Sequence, residues 1–430
     1  MAHIEPFRAF RYDPTRVSLH QVLTQPYDKI TPAMQERYYA ANPHNLVRII
    51  LGKRNATDTA EDNVYSRAAK FFSDWRNDGV LVQDPEPAIY RYSQEFAAPN
   101  GTKMVRDGFI AAGKLQDYSE NVVHRHEQTL SKPKADRLDL LRATRAHFGH
   151  IFMLYSDPEA VIERILDLGN KPIIDVNDEY DVRHRVWKIS DQTVVANVQR
   201  KMDDKKLIIA DGHHRYETAL NYRLERRAAT GSSELAPFDF AMMTFVNMDS
   251  PGLLILPTHR VVHSLPGFSM DMLRQNAAEF FSVEEVDPGL DAKRATAILK
   301  EAAHTGTSLL GVGPDRAFLL SRPKAPASVF EGYSLQHQGL DVVQLHKCLL
   351  ERSLGISEEA IRNQQNIAYV RGAEEALERA RSGKANVSFL MNPVPMRAVR
   401  DIAFAGGVMP QKSTDFYPKL LDGLAIYALD

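Results

Sequence analysis

The segment IIADGHHRYETAL, Ile208 to Leu220, constrains this chain more than any other, because an apolar strand runs straight into a helix through a turn built on one glycine. The first backbone N–H groups of a helix have no intrahelical acceptor and point at whatever lies beyond the strand. Gly212 lacks a Cβ, so it permits both the tight turn and close approach of the backbone to a ligand. The positive end of the helix dipole adds to that, and the spacing predicts an anion site of the phosphate type at the end of the strand, where α/β folds commonly place ligands. Arg215 is able to fork onto phosphate oxygens, while His213 and His214 are able to donate hydrogen bonds or bind a metal. Between Arg200 and Arg227 eight Lys or Arg stand against five Asp or Glu, in a chain whose formal charge is -2. The plainer alternative is that Asp211 caps the helix, Gly212 only turns the chain, the histidines satisfy nearby backbone and Arg215 is solvated. Zinc is not favoured, since adjacent histidines do not share a helix face and no HExxH spacing accompanies them.

At 430 residues the chain exceeds one ordinary core, and two or three domains are expected. With 44% apolar and 25% charged residues it belongs to the ordinary globular range. The near-neutral charge removes any global attraction to nucleic acid or anionic membrane. Cys348 is the only cysteine, which excludes an internal disulfide and a Cys-clustered metal site. Its setting in QLHKCLLER predicts a buried thiol. The charged N-terminus has no signal-peptide pattern and no apolar run approaches the roughly 20 residues of a membrane span, so a soluble, cytoplasmic protein is expected.

Apolar periodicity predicts a strand at NLVRIILG ended by Gly52, a helix at VYSRAAKFFSDWRNDG ended at Gly79, and a hairpin of IYRYSQEF with VRDGFIAAGKL around PNGTK. A helix at PKADRLDLLRATRA, strands at HIFMLYS, VRHRVWKIS and KKLIIA, and a helix at DQTVVANVQRKM follow. In the helix after His213, Tyr216, Ala219, Leu220 and Leu224 are expected to form a buried stripe. Strands FAMMTFVNM and LLILPTHRVV come next. Beyond Pro266 the alternation resumes with helices MDMLRQNAAEFF and GAEEALERARSG and strands SLLGVG and NIAYV. The reading is a mixed α/β, or α+β, fold in three parts, residues 1–112, 113–265 and 266–430.

A second cluster, His124-Arg125-His126-Glu127-Gln128-Thr129, puts acid, base and hydroxyl groups in six residues. Glu127 is the natural general base for a hydroxyl attacking a phosphate, a reaction that also needs cations or Mg²⁺ to neutralise developing charge. A solvated surface loop is the alternative. Lys412, Ser413 and Thr414 in MPQKSTDFYPKL offer further phosphate contacts, and Tyr27 or Asp28 in QPYDKITP a rigid-turn site role. Arg142, Arg145, His147 and Arg260 are candidates to clamp a substrate carboxylate.

Taken together, PFRAFRYDP, QPYDKI, HEQTLSKPKADRLDLLRAT, IFMLYSDP, IIADGHHRYETAL, VNMDSPGLLILPTHR and MPQKSTDFYPKL resemble, over nearly the whole length, the bacterial family catalogued as domain of unknown function 1015. The resemblance implies a ParB/sulfiredoxin-like core, placed at residues 113–265, of the kind found in free-serine kinases. In those enzymes a Gly-His-Arg turn binds nucleotide phosphates and a Glu activates the serine hydroxyl. It therefore implies phosphates on Gly212, His213, His214 and Arg215, catalytic roles for Glu127 and His126, and for Asp211 a role as Mg²⁺ ligand or as a second catalytic acid. The family's Pro-His-Glu-Arg-Thr reads Arg125-His126-Glu127-Gln128-Thr129 here, and Asp415 precedes Phe416 where the family has Tyr.

The expected function is an ATP- or ADP-dependent kinase that phosphorylates free L-serine or a similar small hydroxy-amino acid. The alternatives are a ParB-like nucleotide-binding regulator, against which the missing helix-turn-helix pattern counts, and a non-catalytic nucleotide-binding scaffold. Partners are small molecules and nucleotide, with neither membrane nor nucleic acid, and homo-oligomerisation is left open.

Overall fold

The computed structural model describes residues 1–127 and 132–429, so the readings at Gln128 and Thr129 lie outside the described residues. The chain forms two compact units, one of residues 1–125, 129–254 and 418–430, the other of residues 126–128 and 255–417.

Among the described residues, nine strands build the main sheet of the first unit. In chain order they are β1 (Ile4–Glu5), β2 (Ile89–Ala97), β3 (Lys103–Lys114), β4 (Val123–His124), β5 (Ile151–Tyr155), β6 (Ile174–Asn177), β7 (Arg183–Ile189), β8 (Leu207–Asp211) and β9 (Phe240–Asn247). Their order across the sheet is β4-β8-β5-β9-β3-β2-β7-β6, with β1 paired to β3. The β2–β3 hairpin is antiparallel, with Tyr92 opposite Gly108. Within this sheet, among the described residues, β8 pairs with β4 and β9 with β5 in parallel. Strands β5 and β9 are buried at every residue, as their continuous apolar runs require of strands covered on both faces. The core gathers Phe109, Met153, Met243 and Phe245 from the sheet with Tyr216 and Ala219 from the helix His213–Thr230. The fold is mixed α/β.

Three local expectations need correction. NLVRIILG is not a strand: Val47–Ile50 is a short helix, with Val47, Ile49 and Ile50 all buried and the Val47 N–H donating to Asn45 Oδ1 at 2.9 Å. A short apolar run buried on all sides has no period with which to separate strand from helix, and the Asn45 side chain decides it. Leu224 is 66% exposed. At 3.6 residues per turn it falls about 140° around the helix from Ala219, and Tyr222 takes its place in the buried face. LLILPTHRVV is two strands, Leu254–Leu256 and His259–Val262, broken at Pro257, which has no N–H to offer a ladder.

In the second unit six strands form an antiparallel sheet. They are β10 (His259–Val262), β11 (Ser282–Val286), β12 (Leu309–Val312), β13 (Ala317–Ser321), β14 (Ile367–Val370) and β15 (Val387–Met391), in the order β11-β13-β12-β15-β10-β14. Helices Ala292–Ala302 and Ala373–Arg381 lay Ala295, Leu299, Ala376 and Leu377 on Val261, Leu310 and Leu319. Leu345–Ser353 winds as a π-helix, and Cys348 within it is fully buried.

The expected boundary near residue 112 falls inside a continuous sheet, since β2 and β3 pair with strands from the second expected part. The C-terminal residues rejoin that unit, with Tyr427 opposite His147 on a small antiparallel pair. Among the described residues no helix is long and apolar enough to cross a membrane.

Candidate functional site

In the first unit the buried strand β8 emerges at Asp211, where a register shift against β5 between Ile209 and Asp211 twists its end. Gly212 follows with φ 93° and ψ 26°, a left-handed conformation that glycine adopts without strain, and the helix begins at His213. Asp211 does not cap the helix through its side chain. Its Oδ1 accepts from the Gly212 N–H at 2.8 Å, and its Oδ2 lies 3.0 Å from Lys419 Nζ. Burial pushes the Asp211 carboxyl up, but the combined pull of Lys419, Lys29 and Arg215 holds it well below the usual carboxylate range.

Arg215 is not solvated: its side chain is 14% exposed, its Nη1 donates to the His150 carbonyl, and it stands 4.0 Å from Asp422 Oδ1. Asp422 is buried, and desolvation against the counter-pull of Arg215 raises its carboxyl to about 7. Burial keeps His150 neutral, its ring lowered to about 3, while its Nδ1 and Thr244 Oγ1 are 2.7 Å apart. Beside Arg215 a small cleft opens, its lining including Tyr27, Arg137, His147, Thr218 and Asp422. Thr218 Oγ1 and Asp422 Oδ1 are buried there without a hydrogen-bond partner among the described residues. His213 and His214 start the helix, half-buried. The Asp211 turn thus has Arg215, Lys419 and Lys29 around it, a set of fixed cations suited to an anion.

Asp211 is a poor centre for a magnesium cage. Both its oxygens are engaged, and among the described residues no group of three or more His, Cys, Asp or Glu is arranged to hold a metal. Mg²⁺ bound to a nucleotide takes most of its ligands from phosphates and water and needs no such cage.

The second unit brings together His126, Glu127 and the Lys412–Thr414 segment. The Met409 N–H donates to the His126 carbonyl at 2.8 Å, which sets Glu127 beside Met409 in a parallel bridge. Glu127 Oε1 then accepts from the Lys412 N–H at 2.9 Å. His126, fully buried, has its Nε2 2.8 Å from Thr414 Oγ1 and its ring edge-on to Phe416. Ser413 Oγ donates to the Pro410 carbonyl at 2.5 Å, and Lys412 sits at φ 57°. Asp415, the departure from the family pattern, is buried and lies 2.9 Å from Arg371 Nε.

The three arginines named as carboxylate clamps fall in different settings. Arg142 forks onto Glu225 at the surface and also bonds Asp139. Arg145 is exposed and left-handed just beyond a helix end. Arg260 is fully buried, its Nη1 on the Thr258 carbonyl and its Nη2 3.1 Å from the Gln411 carbonyl. The sequence reading missed Lys419, Asp422, Thr218 and His150. Lys419 ends the quoted MPQKSTDFYPKL segment, a signal that was available; nothing local marks the others.

Compared with known families, residues 4–343 match DUF1015, described as a protein of unknown function, and the chain belongs to that family. Among solved structures it is similar to a free serine kinase variant in complex with AMP, at 12% identity and TM-score 0.36, over 69% of this chain and 84% of the other. It is also similar to a conserved hypothetical protein from Pyrococcus furiosus, at 12% identity and TM-score 0.33, over 70% and 91%. A third is C-terminally truncated SbnI from Staphylococcus aureus, at 9% identity and TM-score 0.34, over 73% and 85%. No curated protein matches the chain.

Proposed function

We propose that this protein is a nucleotide-dependent kinase of free L-serine or a closely similar hydroxy-amino acid. The observation that carries the nucleotide half is the Gly212 turn at a helix start, with Arg215, Lys419 and Lys29 acting on the same point. Backbone N–H groups and fixed cations at a helix N-terminus are the common means of holding phosphate. Asp422 strengthens the reading, because a carboxyl that titrates near neutrality takes up a proton when an anion arrives and so withdraws its own charge.

In the reaction the serine hydroxyl oxygen attacks the terminal phosphorus as its proton passes to Glu127. The bond from phosphorus to the bridging oxygen breaks, and the nucleotide leaves one phosphate shorter. Glu127 is held for that role by the Lys412 N–H, and His126 by Thr414. The acceptor class comes from the motif resemblance. Glu127 and the Gly212 turn lie in different units, so the test asks whether they serve one reaction.

The purified 430-residue chain is incubated with ATP or ADP and L-serine, and O-phosphoserine is measured by mass. Wild type is expected to form it, and Glu127→Gln to keep a nucleotide-induced rise in Tm while losing product by about 100-fold or more. Absence of serine-dependent product with both nucleotides sinks the reading. Nucleotide binding without turnover, joined to salt-dependent affinity for duplex DNA, points instead to a ParB-like switch.

A further inference from the structure

The second unit holds a small cleft whose lining includes His346, Tyr369, Gln411, Glu351, Glu358 and Arg362. Three polar atoms around it are buried with no hydrogen-bond partner among the described residues: Tyr369 Oη, His346 Nε2 and Arg260 Nε. Arg260 is fully buried and its guanidinium lies 4.9 Å from the centre of the Tyr369 ring. His346 is 7% exposed and sits on the π-helix, a distortion that costs backbone geometry and recurs at functional sites. A buried donor left without an acceptor is costly, so three gathered here call for one.

All three are able to donate. A guanidinium has only donors, a tyrosine hydroxyl donates, and a neutral imidazole donates from Nε2 in one tautomer. Burial, with Arg260 and Lys347 nearby, keeps His346 neutral, and burial lowers Arg260 to about 10, which leaves it charged at neutral pH. The cleft therefore offers two neutral donors, and the buried Arg260 charge stands behind them against the Tyr369 ring. Glu127 acts electrostatically on both Arg260 and Tyr369, and Gln411, whose carbonyl holds Arg260, immediately precedes the Lys412 that holds Glu127. That neighbouring carboxylate disfavours a doubly charged phosphate and tolerates a singly charged acid. Lys347 lies 2.8 Å from Glu351, and Arg362 lies 3.3 Å from Glu358, so the rim adds little net charge.

We infer that this cleft binds the carboxylate of a small hydroxy acid through His346 and Tyr369, with the charge of Arg260 behind them. The hydroxyl is turned toward Glu127. The hydroxy-acid class rests on the kinase reading; the carboxylate site does not. Substrate choice is then set in the second unit by the carboxylate, and the Gly212 turn has no part in it.

The test is nucleotide-free binding to the 430-residue chain, by calorimetry and thermal shift, with L-serine, L-glycerate, ethanolamine and inorganic phosphate. L-serine and L-glycerate are expected to bind, and ethanolamine, which has the hydroxyl and ammonium but no carboxylate, to fail. Tyr369→Phe keeps the ring against Arg260 and removes one donor, and should weaken both acids tenfold or more. His346→Leu should do the same, with His346→Gln restoring part of the loss. Equal binding of ethanolamine and L-serine overturns the proposal, as do undiminished acid binding in both donor-deleting variants, binding of phosphate in preference to the acids, or no binding of any probe. Intact acid binding without serine-dependent nucleotide turnover would remove the kinase reading and leave this site standing.

Discussion

Replacing Gly212 with alanine tests whether the turn and the buried arginine form one device. A Cβ at this position meets Arg215 Nε at 3.0 Å and Cζ at 3.2 Å, at a φ of +93°. The left-handed conformation costs a non-glycine residue about 1–2 kcal/mol. The contact adds to that, since Arg215 must shift away from the His150 carbonyl and Asp422, and detaching a buried charge completely costs about 3–5 kcal/mol. A partial shift gives a total near 2–4 kcal/mol. Gly231 is the control: it ends the same helix at φ +64° with nothing within 4 Å of an added Cβ, so Gly231→Ala carries the backbone term alone. Urea unfolding followed by tryptophan fluorescence reads the relevant unit, because Trp75 and Trp187, the two tryptophans of the chain, both lie in it. Gly212→Ala should lose at least about 1 kcal/mol more than Gly231→Ala and should lose the Tm rise on adding ATP or ADP. Equal losses in the two variants, with an unchanged nucleotide response in Gly212→Ala, would refute the coupling of turn, arginine and phosphate.

Asp422 predicts an unusual pH dependence. Its folded carboxyl titrates at about 7, raised above an unfolded value near 4 chiefly by burial, so its stabilising contribution is complete below pH 4 and is lost as pH rises through 7. That is a fall of up to about 4 kcal/mol across the window, which Asp422→Asn should flatten in urea titrations at pH 5 and pH 8. Arg142→Ala removes a fork between side chains 48% and 42% exposed, so it should cost less than about 1 kcal/mol and leave any nucleotide-induced Tm shift unchanged. Burial pushes the Cys348 thiol up to about 12, and a thiol reagent at pH 8 should label it only once urea unfolds the chain. Rapid labelling of the native protein would contradict its placement in the core.

Much of the secondary structure was legible because its signals are local. The apolar periodicity of VYSRAAKFFSDWRNDG and DQTVVANVQRKM and the turn PNGTK act over a few residues, and the structure places helices at Val64–Asn77 and Gln192–Met202 and the β2–β3 hairpin accordingly. Val47–Ile50 and Leu224 were misread where the deciding facts were burial from all sides and the direction of a helix face, both properties of the packed environment. Pro257 was visible in the sequence, and its missing N–H should have divided that strand.

The opening segment shows where the line falls. A strand, one glycine and a helix within a dozen or so residues determine the Gly212 turn, because the dihedral freedom of glycine and the unpaired N–H groups of a helix start need no distant partner. The charges that surround the turn are another matter. Lys419 and Asp422 return from the chain's far end to meet Asp211 and Arg215, and Lys29 acts on the turn from near its start. Glu127 finds the Lys412 N–H across 285 residues. Such meetings are settled by which apolar faces pack together, since burial is driven by area without regard to sequence separation, and only the tertiary structure decides them.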